Sequence, residues 1–293
     1  MSGGPFAIDD LLRAATRVLS DSTAIFEDHD NEAEARQLLA FTLGVDDEEL
    51  DEAEPPSTRD RDRFLALVAR RAAGEPFPFL IGKIDFYGLE LKVWPGAFVP
   101  RPSSELTVNR SVARMRRKKN PVVVDVCAGA APIALAIADE LPRADVWALD
   151  ISEEGLSQGR KNARRLGINN VSLRRGDLYA PLPARLAGQV DLITAHVPYV
   201  PAGEIEDLPE EVREHEPLDT LTDHSHDGLY LMRRVVEESR EWLRPDGWLL
   251  LEMSDDVVSK ARRLCRKAGF DHIELADDED GLSVVVEARR SKS

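Results

Sequence analysis

The stretch Val122-Val123-Val124-Asp125-Val126-Cys127-Ala128-Gly129-Ala130-Ala131-Pro132 decides the fold. A valine-rich run of strand formers ends in a turn of small residues, and proline then stands at the first position of an apolar helix, 133–141. Outward from it the same alternation continues. Strands are expected at 146–150, 171–174, 190–195 and 248–252, and helices at 153–166, 229–243 and 257–268. Strand and helix in strict alternation imply a mostly parallel sheet covered on both faces. The last two strand-like segments, 272–275 and 283–287, have no helix between them, so the sheet should end in an antiparallel pair. The expected class is α/β, a Rossmann-like sheet with an antiparallel edge.

The chain before this sheet has a different texture. Ile8, Leu11, Leu12, Ala15, Val18 and Leu19 recur at helical spacing, as do Ala35, Leu38, Leu39 and Leu43, and then Phe64, Leu65, Leu67 and Val68. The acidic run 46–54 between them reads as a solvated loop. From Phe79 to Val93 apolar and polar residues alternate on both sides of Tyr87-Gly88, the pattern of a β-hairpin. Pro95, Pro100 and Pro102 then stiffen a loop. Three parts follow: a small helical N-terminal domain at 1–78 that serves as substrate or cap domain, a hairpin and proline-rich linker at 79–103, and the catalytic sheet domain at 104–293.

Composition narrows the partners. Thirty-eight basic against 54 acidic residues leave a net charge of −16, a field that repels phosphate backbones. The one basic cluster is Arg114-Met115-Arg116-Arg117-Lys118-Lys119. No nucleic-acid groove and no membrane span are expected, and neither a leader pattern nor a run of 18 apolar residues is seen. Only Cys127 and Cys265 occur, which excludes a disulfide framework and a thiolate zinc cluster; a cytoplasmic protein without a metal fits.

In such a sheet ligands bind at the C-terminal ends of the strands. Cys127, Ala128 and Gly129 form a turn that a ligand can approach closely. Asp150, followed by Ile151, ends the second strand about twenty residues past Gly129, where an acid accepts hydrogen bonds from a ribose diol. Asp177 and Leu178 follow the third strand, where a carboxylate can receive an adenine amino group. Each acid alone reads equally well as a cap or turn residue; three at the ends of successive strands are more specific. The full Gly-x-Gly-x-x-Gly of dinucleotide sites is absent, and Pro132 offers no amide to a pyrophosphate. S-adenosylmethionine is therefore favoured over NAD.

These residues, with Phe86-Tyr87-Gly88-Leu89, Phe98-Val99-Pro100-Arg101-Pro102, Gly176-Asp177-Leu178, the segment 211–217 and Asp227-Gly228-Leu229, resemble the HemK/PrmC family of glutamine-amide methyltransferases over nearly the whole length. The resemblance implies a class I methyltransferase fold and methyl transfer from S-adenosylmethionine to nitrogen. It places Arg101, Asp125, Cys127, Ala128, Gly129, Asp150, Ile151, Asp177, Leu178 and His196 around the cofactor, and His196, Tyr199, Glu211 and Glu216 at the acceptor.

The chain departs from that family at the acceptor motif, where Asn-Pro-Pro-Tyr is replaced by His196-Val197-Pro198-Tyr199. Imidazole lacks the paired donor and acceptor of a carboxamide, so a cognate amide should be lost. Cys127 and Ala131 stand where the family pattern has glycine, and the loop 222–227 differs as well. His196 reads either as a structural hydrogen bonder or as the group that orients an acceptor N–H or takes its proton. Tyr199 reads as pocket wall or core. Glu211 and Glu216 can clamp a cation, and Arg101 a substrate carboxylate. The expected acceptor is thus a small cationic molecule, free arginine or another guanidino compound. A glutamine in a peptide chain release factor comes second, and a non-enzymatic module or a nucleic-acid base methyltransferase is a further rival.

Overall fold

The computed structural model describes residues 7–25, 29–277 and 283–291. Four helices come first: α1 Ile8–Ser20, α2 Asn31–Leu43, α3 Thr58–Ala72 and α4 Phe77–Ile81. The hairpin β1 Lys83–Phe86 and β2 Leu89–Lys92 leads to α5 Glu105–Met115. Then follow β3 Val122–Val126, α6 Pro132–Glu140, β4 Asp145–Asp150, α7 Glu153–Leu166, β5 Val171–Arg175 and β6 Val190–Ala195. The chain closes with α8 Glu210–His215, α9 Tyr230–Trp242, β7 Leu243–Met253, α10 Asp255–Lys267, β8 Phe270–Asp277 and β9 Val284–Arg290. Among the described residues no helix is long and apolar enough to cross a membrane.

The chain divides into two compact units, Met1–Lys83 with Glu206–Glu216, and Ile84–Ile205 with Pro217–Ser293. In the first, Ala15, Leu19, Leu38, Leu39, Phe64 and Val68 form a buried core. Asp30 caps α2 by accepting from the Ala33 amide, and Ser57 and Asp60 form a reciprocal capping box on α3. Arg71 is fully buried here. Its guanidinium donates to both oxygens of Glu34 at 2.6 and 3.1 Å and to the Glu75 carbonyl, and it lies 3.2 Å from Glu211 Oε2. Burial pushes the Glu34 carboxyl up, but hydrogen bonds from His29 and Arg71 outweigh it and hold the carboxyl below its ordinary value.

The second unit carries a seven-stranded sheet in the order β5-β4-β3-β6-β7-β9-β8, parallel except for β9, which runs antiparallel between β7 and β8. The Rossmann-like sheet and its antiparallel edge are thus present. Asp125 on β3 lies beside Ala148 of β4 and Thr194 of β6, and Ala195 lies beside Leu251 of β7. One step further along these two parallel strands brings His196 and Glu252 together.

Two expectations change. Residues 79–81 are not strand but part of α4: Pro78 sits in the first turn, and Gly82, left-handed at φ 71°, ends the helix before pairing begins. The hairpin is also more than a connector. Its turn, Tyr87-Gly88, has φ of 51° and 74°, both positive as a two-residue hairpin of matching twist requires. Phe86, Leu89 and Leu91 enter the core of the sheet unit. Two carboxamides of α7 act as a surrogate strand edge: Asn162 exchanges two 2.8 Å hydrogen bonds with the Lys92 backbone, and Gln158 does the same with Trp94 at 2.8 and 3.4 Å. The basic cluster is partly spent internally, with Arg114 stacked over Trp248 and paired to Glu287, and Lys118 paired to Asp191.

Candidate active site

The loop after β3 is tightly wound. Cys127, Gly129 and Ala131 have φ of 57°, 55° and 62°, so two non-glycine residues hold left-handed backbone. This is the physical reason glycine suits these positions, and for an L-residue the conformation costs roughly 1–2 kcal/mol. Cys127→Gly and Ala131→Gly should each stabilise the unit by about 0.5–1 kcal/mol, once glycine's extra unfolded-state entropy is subtracted. Urea unfolding of the two variants checks this. The loop is pinned by Asp150, whose Oδ2 accepts from the Gly129 amide and whose Oδ1 accepts from the Ser152 amide, both at 2.7 Å. A Cβ at Gly155 of α7 would lie 2.8 Å from Gly129 backbone atoms, and one at Gly159 would lie 2.8 Å from the Ala130 carbonyl. Helix and loop therefore touch through bare backbone. The sequence carries this signal as two glycines four apart on one helical face.

The loop borders a cavity of about 450 Å³ within the sheet unit. Its walls take Asp125, Cys127, Ala128 and Gly129 from β3 and its turn, Asp150 and Ile151 from β4, and Asp177 and Leu178 from beyond β5. Arg101 and His196 complete the set, so all ten expected cofactor positions meet at one place. Ile151 is 66% exposed, an apolar side chain offered to the cavity. Asp177 is held by Arg234, whose Nη1 is 3.0 Å from both carboxylate oxygens. Arg101 lies over the Phe98 ring at 4.5 Å.

Burial pushes the Asp125 carboxyl up to about 7; the Thr194 hydroxyl, donating to Oδ1 at 2.7 Å, opposes this, and the charges of Glu252 and Asp150 add to it. Its Oδ2 is sealed from solvent without a hydrogen bond of ordinary geometry among the described residues. Burial also raises the Asp150 carboxyl against the pull of the Ser152, Gly129 and Ile151 amides. Burial first, and then the carboxylates around it, push the Cys127 thiol far up, so it is no reactive thiolate. Among the described residues no cluster of His, Cys, Asp and Glu is arranged to hold a metal ion.

The acceptor residues are dispersed. His196 lines the cavity, with Phe98 edge-on to its ring at 5.8 Å and Tyr199 stacked at 6.0 Å. Tyr199 itself is not in the wall; its hydroxyl accepts from the Ser254 amide at 3.1 Å and its ring packs on the core. Glu211 and Glu216 belong to the helical unit, are buried, and do not line the cavity. Glu211 shares the Arg71 guanidinium with Glu34 inside the helical unit, so it is engaged there and not presented to the cavity. Sequence reasoning missed Glu252. Its side chain is 1% exposed and accepts from Ser104 Oγ at 2.5 Å and Thr107 Oγ1 at 2.6 Å, and its Oε1 lies 3.4 Å from His196 Nδ1. The signal was a lone acid closing the apolar strand Trp248-Leu249-Leu250-Leu251-Glu252.

A cavity at the C-terminal ends of parallel strands, walled by a small-residue turn and an acid after each strand, suits a nucleoside without phosphates. Gly129 leaves open space where a Cβ would stand, and Pro132 presents no amide to a phosphate. Residues 117–255 match a family described as methyltransferase domain, and residues 10–82 one described as PrmC N-terminal domain. The fold is shared with a methyltransferase from Pyrococcus furiosus, at 18% identity and TM-score 0.53 over 70% of this chain and 90% of that one. It is shared equally with the 16S rRNA N2 G1207 methyltransferase of T. thermophilus in complex with AdoMet and guanosine, at 17% identity and TM-score 0.53 over 71% and 49%. Fold and site define an S-adenosylmethionine-dependent class I methyltransferase.

The relatives take this a step further. The release factor glutamine methyltransferase of Thermodesulfovibrio yellowstonii is 30% identical over 90% of this chain and 94% of its own length. That of Streptomyces coelicolor is 38% identical over 76% and 77%. The chain belongs to the HemK/PrmC family. The same relatives give no support to free arginine as acceptor, and with Glu211 and Glu216 outside the cavity wall the charge argument for a small cation falls away.

Proposed function

We propose that the protein transfers a methyl group from S-adenosylmethionine to the side-chain amide nitrogen of a glutamine in a peptide chain release factor. The observation that carries this reading is the placement of His196 in the cavity wall with Nδ1 against Glu252, supported by relatives named for that reaction over nearly their full length. Bound S-adenosylmethionine supplies an electrophilic methyl on a sulfonium. Asp150 would accept from its ribose hydroxyls, Asp177 would receive its adenine amino group, and Ile151 and Asp125 would hold it from the remaining walls of the cavity. His196 takes the acceptor N–H as a hydrogen bond and so turns the nitrogen lone pair toward the methyl. Orientation of this kind is worth up to about 7–11 kcal/mol of barrier. The helical N-terminal part docks the release factor.

Labelled S-adenosylmethionine, the protein and a release factor should give label on one glutamine of the factor. Replacing that glutamine by alanine should remove it, and His196→Ala should lower the rate by roughly 100-fold or more. Label that appears on free arginine or another guanidine and not on the factor would overturn the reading.

A further inference from the structure

We propose that Glu252 is a positioning residue for His196: clamped by Ser104 and Thr107, it accepts from His196 Nδ1–H and so leaves Nε2 as the lone pair that receives the acceptor proton. The inference rests on the reading above, in which His196 faces the acceptor nitrogen.

The physical argument starts from Glu252 itself. A carboxylate 1% exposed has lost its hydration and must recover it from donors or a compensating cation. Two hydroxyls supply short hydrogen bonds, Ser104 Oγ to Oε1 at 2.5 Å and Thr107 Oγ1 to Oε2 at 2.6 Å. Both come from the segment that opens and forms α5, so one rigid element fixes the carboxylate. The His196 ring stands beside it with Nδ1 at 3.4 Å from Oε1, an approach that must close by a few tenths of an ångström to become a hydrogen bond. An imidazole whose Nδ1–H points at a carboxylate is held in one tautomer, with Nε2 free of its proton. Phe98 edge-on and Tyr199 stacked fix the plane of the ring.

The consequence is chemical. The asparagine of the family motif can accept an N–H but cannot keep the proton. In the step proposed here the acceptor N–C bond forms as the methyl–sulfur bond breaks, and that bond's electron pair remains on a now neutral sulfur. The proton leaves the acceptor nitrogen for Nε2. The imidazolium that results is stabilised by Glu252, with Asp125 on the neighbouring strand adding a second carboxylate and Arg101 standing across Phe98 as the opposing charge. His196 thus restores, through Glu252, the acceptor half of the lost carboxamide and adds a base.

The test reads the tautomer directly. Two-bond ¹H–¹⁵N spectra of the histidine-labelled protein, with the His196 signals assigned from His196→Asn, should show a protonated Nδ1 and a bare Nε2. Glu252→Ala should abolish that pattern and lower kcat on the release factor roughly 100-fold, with KM for S-adenosylmethionine within about twofold. Glu252→Gln keeps an acceptor oxygen for Nδ1–H and should restore the tautomer and most of the lost kcat. Should Glu252→Ala fail to fold, Thr107→Val loosens the same carboxylate and should mix the tautomers. A wild-type ring protonated on Nε2, or a Glu252→Ala enzyme with undiminished kcat, overturns the proposal. If no label reaches the release factor at all, the functional reading fails, while the tautomer still decides the role of Glu252.

Discussion

Arg71→Ala should destabilise the helical unit by about 3–5 kcal/mol, the typical cost of removing one partner from a buried ion pair. The guanidinium is fully buried and serves Glu34, the Glu75 carbonyl and Glu211 together. Alanine would leave two buried carboxylates without the guanidinium they share. It would also leave a void where the long side chain packed. Hydrogen exchange of the α2 and α3 amides should show the loss in this unit. The pH dependence identifies its cause. The Glu34 carboxyl is held below its ordinary value, so its pairing contributes stability above that value and loses it as pH falls through the folded-state value. In Arg71→Ala the carboxylates can instead take protons, so the deficit relative to wild type should shrink between neutral pH and about pH 4. A deficit that is the same at both pH values would mean that lost packing, not unpaired charge, is the cause.

The same residues explain what the sequence could and could not tell. The parallel strands were legible because both faces are buried, so that Val122–Val126 and Val190–Ala195 read as short, mostly apolar runs, interrupted by Asp125 in the first and by Asp191 and Thr194 in the second. The helix α8 was not: Glu210–His215 has the composition of a solvated loop, and its placement depends on Arg71, far away in sequence. α5 was hard to see because it lies between a proline-rich loop and a basic cluster, and its apolar positions are few. The cofactor side of the cavity was legible because each strand brings its own acid to the same end of the sheet. The acceptor side depends on pairings between distant residues, Glu252 with Ser104 and Asp177 with Arg234, that no local spacing announces. Net charge misled for a related reason. A total of −16 says nothing about one carboxylate, and Glu211 is already engaged by Arg71 within its own unit.

Asp150→Ala should weaken S-adenosylmethionine binding by about 100-fold or more while leaving the sheet folded. In the proposed arrangement the carboxylate makes two charge-assisted hydrogen bonds to the ribose, each worth about 1.5–3 kcal/mol, and every 1.4 kcal/mol is about tenfold in affinity. It also holds the Gly129 amide, so the loop loses its anchor along with the ligand. Stability should change little, because burial raises this carboxyl and the folded state gains nothing from its charge. Asp150→Asn keeps one acceptor oxygen and should fall between wild type and alanine. Titration calorimetry with S-adenosylmethionine and with S-adenosylhomocysteine separates two possible causes. The two share the ribose but differ by the sulfonium charge. Equal weakening of both is the expected result and assigns Asp150 to the diol. A loss confined to the charged cofactor would mean that the carboxylate acts through its field on the sulfonium, and the ribose assignment would have to be abandoned.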